Sequence, residues 1–323
     1  MILLTGVAGF IGFHTTVKLL ERGEHVVGVD NLNTYYPAAL KRARLAVLEA
    51  MPGFEFAEAD IADPLVLPAV LKGRKPSQIV HLAAQAGVRY SIENPAAYVA
   101  SNLVGHAVIL EAARRWEVDN MLYASSSSVY GGNTKTPFSE NDVTDDPVSF
   151  YGATKKSNEL LSNSYARLYG LSLTGLRFFT VYGPWGRPDM AYWIFVEKIL
   201  AGETIRIFNE GRMSRDFTYI DDIVAGVLAA LDRPASGLDI ETPHRVYNLG
   251  NDQPEELMSL VDNIETALGQ TAHKSFDPMQ PGDVERTWAD IARARAELDY
   301  APRTDLKDGI EQFADWFRHW RTR

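Results

Sequence analysis

The sequence predicts an α/β fold: a doubly wound parallel sheet with a smaller α/β lobe toward the C-terminus. Three observations carry this. Short apolar runs alternate with helix-periodic segments through the first half, the first run passes straight into a glycine-rich turn, and the second ends on an acidic residue, Asp30.

Each element follows from its local pattern. Ile2 to Thr5, His25 to Asp30, Phe54 to Ala57, Gln78 to Leu82 and Asn120 to Ala124 are apolar runs of strand length, and 10–22, 37–50, 64–72 and 95–116 repeat apolar residues at helical spacing. Strand and helix taking turns make the strands parallel and cover both faces of the sheet. Ligands of such a sheet bind at the carboxyl ends of the strands, where the chain order reverses. Beyond about residue 175 the alternation weakens: prolines and glycines punctuate Val181 to Pro188, strands are expected near 205–208 and 246–249, and helices near 190–201, 220–231, 254–268 and 305–320. The expected division is a first domain over 1–176, with segments near 211–250 returning to it, and an interleaved second lobe over 177–323. Gly211 to Ile223 and Val246 to Gly250 are each read as returning a strand to the main sheet.

Composition narrows the function classes. With 323 residues, 46% apolar and 23% charged, the chain is neither disordered nor a coiled coil. Thirty-two Lys and Arg against 42 Asp and Glu leave a net charge of −10, which argues against a nucleic-acid partner, so an anionic small substrate needs local arginines. No cysteine is present, which excludes disulfides, thiolate metal sites and a cysteine nucleophile and leaves a cytoplasmic location as the expectation. Met1 to Thr5 enters the glycine turn without a basic leader, and no apolar run is read as approaching the ~20 residues of a membrane span, so no membrane partner is expected. His14, His81 and His106 show no metal spacing and are assigned to the core or a helix surface.

The turn after the first strand reads Gly6-Val7-Ala8-Gly9-Phe10-Ile11-Gly12 and opens a helix. Glycines let the backbone turn tightly and approach a pyrophosphate, while the helix start offers unpaired amides and the positive end of a dipole. Asp30, with Asn31 beside it, ends the next strand; a carboxylate there takes both ribose hydroxyls and repels a 2′-phosphate, which favours NAD over NADP. The binding set expected for the dinucleotide is Gly6, Gly9, Phe10, Ile11, Gly12, Asp30 and Asn31, joined at the same sheet edge by Asp60 and Ile61 and by Ala83, Ala84 and Gln85. This is a Rossmann-type arrangement.

Tyr151-Gly152-Ala153-Thr154-Lys155 opens a helical stretch, and i, i+4 spacing sets the phenol and the ammonium on one face. A free tyrosine, with a pKa of about 10, is a poor base; a lysine within ~4–6 Å, reinforced by an oxidised nicotinamide, is expected to lower that value and make Tyr151 a general base for a hydroxyl proton. Upstream, the fifth strand ends in four hydroxyls, Ser125 to Ser128, ahead of Val129-Tyr130-Gly131.

Together with HLAA at 81–84, RFFTVYGP at 177–184 and RDFTYIDD at 215–222, these segments resemble the extended short-chain dehydrogenase/reductase family of nucleotide-sugar enzymes over nearly the whole chain. The details are most similar to family members that epimerise UDP-glucuronate at sugar carbon 4. The resemblance implies that Ser126 joins Tyr151 and Lys155, that Tyr151 takes the proton of the 4-hydroxyl while hydride passes from carbon 4 to NAD, and that the 4-keto sugar rotates and is reduced on its other face. It also implies a homodimer through the helices near 95–116 and 149–169.

A 4-keto uronate is a β-keto acid and loses carbon dioxide readily, so an epimerase must restrain the carboxylate. Related decarboxylases and dehydratases carry glutamate at the place of Ser128, and neutral-sugar epimerases tend to carry asparagine at the place of Thr180. By resemblance Ser127, Ser128 and Thr180 fix the carboxylate, and Arg187 adds a charge-assisted contact. Arg215 matches a family position that meets the phosphates, and Arg89 and Arg286 are further candidates from placement. Gln280-Pro281-Gly282-Asp283 resembles the family's nucleotide segment, with Gln280 where the galactose epimerases have arginine. The expected UDP-sugar set is therefore Arg89, Ser127, Ser128, Thr180, Arg187, Arg215, Gln280, Asp283 and Arg286. Rival readings are UDP-glucuronate decarboxylation, epimerisation of a neutral UDP-sugar and, from another class, an NAD-sensing scaffold protein, which commonly lacks the tyrosine or the lysine.

Overall fold

The computed structural model describes residues 1–280 and 282–322. The first half runs β1 (Ile2–Thr5), α1 (Phe10–Glu21), β2 (Val26–Asp30), α2 (Ala38–Glu49), β3 (Phe54–Glu58), α3 (Val66–Leu71), β4 (Gln78–His81), the short α4 (Tyr90–Glu93) and α5 (Pro95–Tyr98), α6 (Gly105–Trp116) and β5 (Asn120–Ser126). Then follow α7 (Phe150–Tyr169), β6 (Leu173–Phe178), β7 (Thr180–Tyr182), α8 (Ala191–Leu200), β8 (Ile205–Phe208), β9 (Ser214–Tyr219) and α9 (Ile220–Asp232). The chain continues through β10 (His244–Leu249), β11 (Pro254–Glu256), α10 (Leu257–Leu268), β12 (Lys274–Asp277), α11 (Ala292–Leu298) and α12 (Leu306–Arg321).

Seven strands form one parallel sheet in the order β10-β6-β5-β4-β1-β2-β3, with the reversal between β1 and β4. Both faces are covered, which is why its strands read as apolar runs rather than alternating ones. Ile2 and Leu4 join the core under α1, α2 and α9, whereas Leu3, between them, points into the core under α3, α6 and α7. β10 returns to this sheet beside β6, as expected of Val246 to Gly250. The other expected return does not occur: β9 pairs with β7 and β11 in a separate three-stranded sheet, and only α9, which follows it, comes back to pack on α1 and β5.

β6 is absent from the sequence reading because Thr174, Gly175 and Arg177 interrupt its apolar run. Each of the last two answers a local demand. A Cβ on Gly175 would stand 2.5 Å from the Tyr123 hydroxyl. The Arg177 guanidinium donates from Nε and Nη2 to the two carboxylate oxygens of Glu159, both at 2.8 Å, in a dry setting.

The run Pro95–Trp116 corrects a second expectation. It is continuous over 22 residues, with a π-helical stretch over Val99–Val104, and its most apolar 18-residue window has a mean hydropathy of 1.3, long and apolar enough by composition alone to cross a membrane. It packs along α7, with Asn102 and His106 buried between them.

Buried histidines give the sheet an acid limit. His81 is hydrogen-bonded through Nδ1 to Thr5 Oγ1 at 2.7 Å, His106 through Nε2 to Ser162 Oγ at 2.9 Å, and the two rings stack at 5.3 Å. Burial pushes His106 down to about 3 and His81 well below its ordinary value. The unfolded chain therefore takes up protons near pH 6.5 that the folded chain refuses. The contribution to stability is full above that pH and is lost as pH falls toward 3. Unfolding free energies measured in urea should fall as pH drops through that window, with buried His14 and His244, both pushed down to about 4, adding to the slope, and a His106→Gln variant should reduce it. A flat profile would contradict the burial of neutral rings.

Candidate active site

The carboxyl ends of β1, β2, β4 and β5 open into one cleft of about 410 Å³, closed on the far side by β7, the 187–190 turn, Arg215 and the 282–287 segment. Its cofactor end is built from glycine. Gly6 has φ +77°, and a Cβ on it would lie 2.6 Å from Ala83 N; a Cβ on Gly12 would lie 2.1 Å from Gly6 O. The turn therefore closes tightly enough to bring α1 up to the cleft. α1 begins after Gly9 with no side-chain cap, so the amides of its first turn face an incoming anion.

Asp30 is buried at the end of β2 and accepts from Ala8 N at 3.1 Å and Leu32 N at 2.9 Å. Burial raises its carboxyl above the ordinary range, and the Lys41 charge opposes this. Asn31 donates to Asp60 Oδ2 at 3.0 Å, and Ile61 is buried beside them. Gln85 N donates to Asn102 Oδ1 at 2.8 Å, and Asn102 Nδ2 donates to Gln85 O at 3.1 Å and to Thr154 Oγ1 at 3.0 Å. Asn102 thus ties the Ala83–Gln85 segment to α7. The glycine cradle, the free amides and the inward carboxylate fit a dinucleotide with a free 2′-hydroxyl.

At the other end of the sheet edge, Ser149 caps α7, its Oγ accepting from Gly152 N at 3.0 Å. A Cβ on Gly152 would stand 2.5 Å from Ser128 O, so the helix start abuts the serine turn and sets Tyr151 opposite Ser126 in the cleft wall. Ser126 Oγ donates to Ser128 Oγ and accepts from Ser128 N, each at 3.2 Å. Ser127 and Thr180 line the same wall.

The electrostatics of Tyr151 differ from expectation. Burial pushes its phenol up, while the Ser126 hydroxyl and the Arg187 charge oppose that rise. Lys155 Nζ is 6.0 Å from the Tyr151 ring centroid and donates to Ala124 O at 2.9 Å, so Arg187 supplies the cationic field at the phenol. Lys155 is itself driven down to about 8 by desolvation.

Arg187 Nε donates to Asp189 Oδ1 at 3.0 Å, and Arg215 donates to Ser214 O at 2.9 Å and Glu285 O at 3.1 Å. Both line the cleft, as does Asp283. Three expected substrate residues do not. Arg89 is held outside by an ion pair to Asp283 at 2.8 Å and lies over the Phe208 ring. Arg286 precedes Thr287 in an extended segment, so while Thr287 faces the cleft Arg286 turns the other way, 3.8 Å from Glu256. The Gln280 carbonyl accepts from Asp283 N at 3.2 Å; Pro281 lies outside the described residues.

The sequence reading missed Asn102, Lys41, Tyr35 and Asp189. Asn102 carries no motif signal, being a polar residue in an apolar helical run. Tyr35 and Lys41 follow Asp30 in the polar-aromatic stretch Asn31 to Tyr36 and the helix after it, and that stretch at a strand's carboxyl end was a usable signal.

The family described as NAD dependent epimerase/dehydratase matches residues 2–250. The chain is 50% identical over 327 aligned residues to UDP-glucuronate 4-epimerase 4 of Arabidopsis thaliana, covering 98% of this chain and 75% of that one. It is 47% identical to Protein CapI of Staphylococcus aureus over 98% of both. The crystal structure of UDP-glucuronic acid 4-epimerase from Bacillus cereus, in complex with UDP-glucuronic acid and NAD, superposes with a TM-score of 0.91 at 36% identity over 99% of both chains.

The cap on α7 offers a direct check of the local structure. Ser149→Ala removes the acceptor for Gly152 N and should cost about 1 kcal/mol of unfolding free energy in urea. An unchanged midpoint would mean the helix start is held by other contacts.

Proposed function

The chain belongs to the NAD-dependent epimerase/dehydratase family, and from that premise we propose that it interconverts UDP-glucuronate and UDP-galacturonate by epimerisation at sugar carbon 4. The observation that carries this reading is the meeting, in one cleft, of Tyr151 and Ser126 with the glycine cradle on one side and the hydroxyls of Ser127, Ser128 and Thr180 and the guanidinium of Arg187 on the other.

The cofactor is NAD; held by the glycine turn and Asp30, it would supply the acceptor and donor of the hydride of sugar carbon 4. Tyr151 Oη removes the proton of the 4-hydroxyl and returns it at the end of the turnover. Ser126, across from Tyr151, hydrogen-bonds the reacting oxygen and favours the charged phenolate. Lys155, anchored on Ala124 O in the same cleft, would place its positive charge beside the bound cofactor. Asp30 holds the adenosine ribose, and Arg215 neutralises the diphosphate of the UDP-sugar in a chain that is otherwise acidic.

The difference between an epimerase and a decarboxylase lies in the carboxylate on carbon 5. A carboxylate at position 128 would repel it, whereas the Ser127, Ser128 and Thr180 hydroxyls and Arg187 hold it away from the geometry in which carbon dioxide departs. The neutral-sugar reading leaves the Arg187 charge without a partner on the substrate.

In the same reading the enzyme works in the cytoplasm as a homodimer. Val99 and Val104 of the long apolar run and Leu160, Leu168 and Tyr169 of the neighbouring α7 are exposed, and a shallow apolar groove runs past Val104, Val108, Ala112 and Trp116. Two such helices from each of two copies would cover one another.

Incubation with UDP-glucuronate should yield UDP-galacturonate without added cofactor beyond bound NAD. Release of carbon dioxide with a UDP-pentose, or turnover of UDP-glucose alone, would overturn the assignment. Tyr151→Phe should lower kcat by about 10²–10⁴ while NAD content stays at the parent level. An undiminished rate would remove Tyr151 from the chemistry.

A further inference from the structure

We propose that Tyr35 and Asp189 are positioning residues that aim the Arg187 guanidinium at the sugar carboxylate, so that the loop beside the cofactor ribose site helps to keep the 4-keto sugar from losing carbon dioxide. The inference rests on the uronate reading above.

Arg187 presents Nε and Nη2 as a fork to the two oxygens of Asp189, at 3.0 and 2.5 Å. Two parallel bonds fix the plane of a guanidinium, which a single contact cannot do. Among the described residues Nη1 has no hydrogen-bond partner, and Arg187 lines the cleft, so that edge of the fork is available to a ligand bound there. Asp189 is in turn held from the other side of the cleft, since the Tyr35 hydroxyl donates to its Oδ2 at 3.0 Å.

Tyr35 is itself closely fixed. Its ring tilts against Tyr90 at 4.9 Å, and its oxygen sits so near Gly87 that a Cβ there would stand 2.4 Å away. Its backbone belongs to the loop in which Asn33 accepts from Lys41 Nζ at 2.9 Å and Leu32 N binds Asp30. A continuous set of contacts therefore runs from Asp30 through Tyr35 and Asp189 to Arg187.

The chemistry explains why that aim matters. Decarboxylation breaks the bond between carbon 5 and the carboxylate carbon; the electron pair enters the carbon 4 ketone as an enolate, carbon dioxide leaves, and a solvent proton on carbon 5 completes the 4-keto pentose. The bond breaks only when it stands across the plane of the ketone. A guanidinium of fixed plane holds the carboxylate out of that alignment, and a wobbling one does not.

The test uses the NAD-loaded parent with Tyr35→Phe, Asp189→Asn and Arg187→Gln. Tyr35→Phe should raise the fraction of turnovers ending in pentose roughly fivefold to tenfold, the worth of one hydrogen bond, and Asp189→Asn should raise it further. In a Tyr151→Phe background, which stops turnover, both should also lower the preference for UDP-glucuronate over UDP-glucose in equilibrium binding while leaving UDP affinity and NAD content unchanged. A merely structural role would move neither ratio. If Arg187→Gln leaks pentose but Tyr35→Phe and Asp189→Asn partition like the parent, the positioning role is overturned and the uronate reading stands. If the parent makes no UDP-galacturonate, the uronate reading fails, and this inference with it.

Discussion

The first turn of α7 sits so close to the serine turn after β5 that only glycine fits at position 152, and the site depends on that contact. Three buried attachments hold it. Lys155 reaches back to Ala124 O, Asn158 Nδ2 donates to Asn102 O at 2.6 Å, and Glu159 takes the fork of Arg177 together with the Ser125 hydroxyl at 2.6 Å. Arg177 also donates to the Tyr130 oxygen, which itself donates to Asn248 of β10 at 2.6 Å. Removing one member of such a buried pair leaves the other unpaired, at a cost of about 3–5 kcal/mol, so these groups tie β5, β6, β10 and α7 into one rigid frame.

Within that frame, burial sets the acid–base character. It raises the Tyr151 phenol and weakens the hold of Lys155 on its proton, so neither side chain is catalytic by its own tendency. In the proposed reaction the phenolate is stabilised from outside, by the Ser126 hydroxyl and the Arg187 charge across the cleft, and bound NAD would add the charge of its oxidised ring. Arg187 and Arg215 bring positive charge to the cleft wall of an acidic chain, each fastened to a protein oxygen.

The sheet, the cofactor turn and the Tyr151–Lys155 pair were legible because each depends on short-range pattern: apolar runs buried on both faces, glycines that the backbone demands, and a one-turn helical spacing. β6 was not, because its polar interruptions are satisfied by Tyr123 and Glu159, which lie far away in sequence. The direction of Arg286 and the withdrawal of Arg89 depend on how the 282–287 segment lies against Ser214 and Val88, a tertiary fact with no local sign. Asp189 and Tyr35, 154 positions apart, meet only across the folded cleft.

The most direct measurement follows the hydrogen on sugar carbon 4. UDP-glucuronate carrying deuterium there, turned over in ordinary water, should give UDP-galacturonate that keeps the deuterium on carbon 4, because the same hydride leaves and returns within one closed cleft. Loss of the label to solvent would contradict the account.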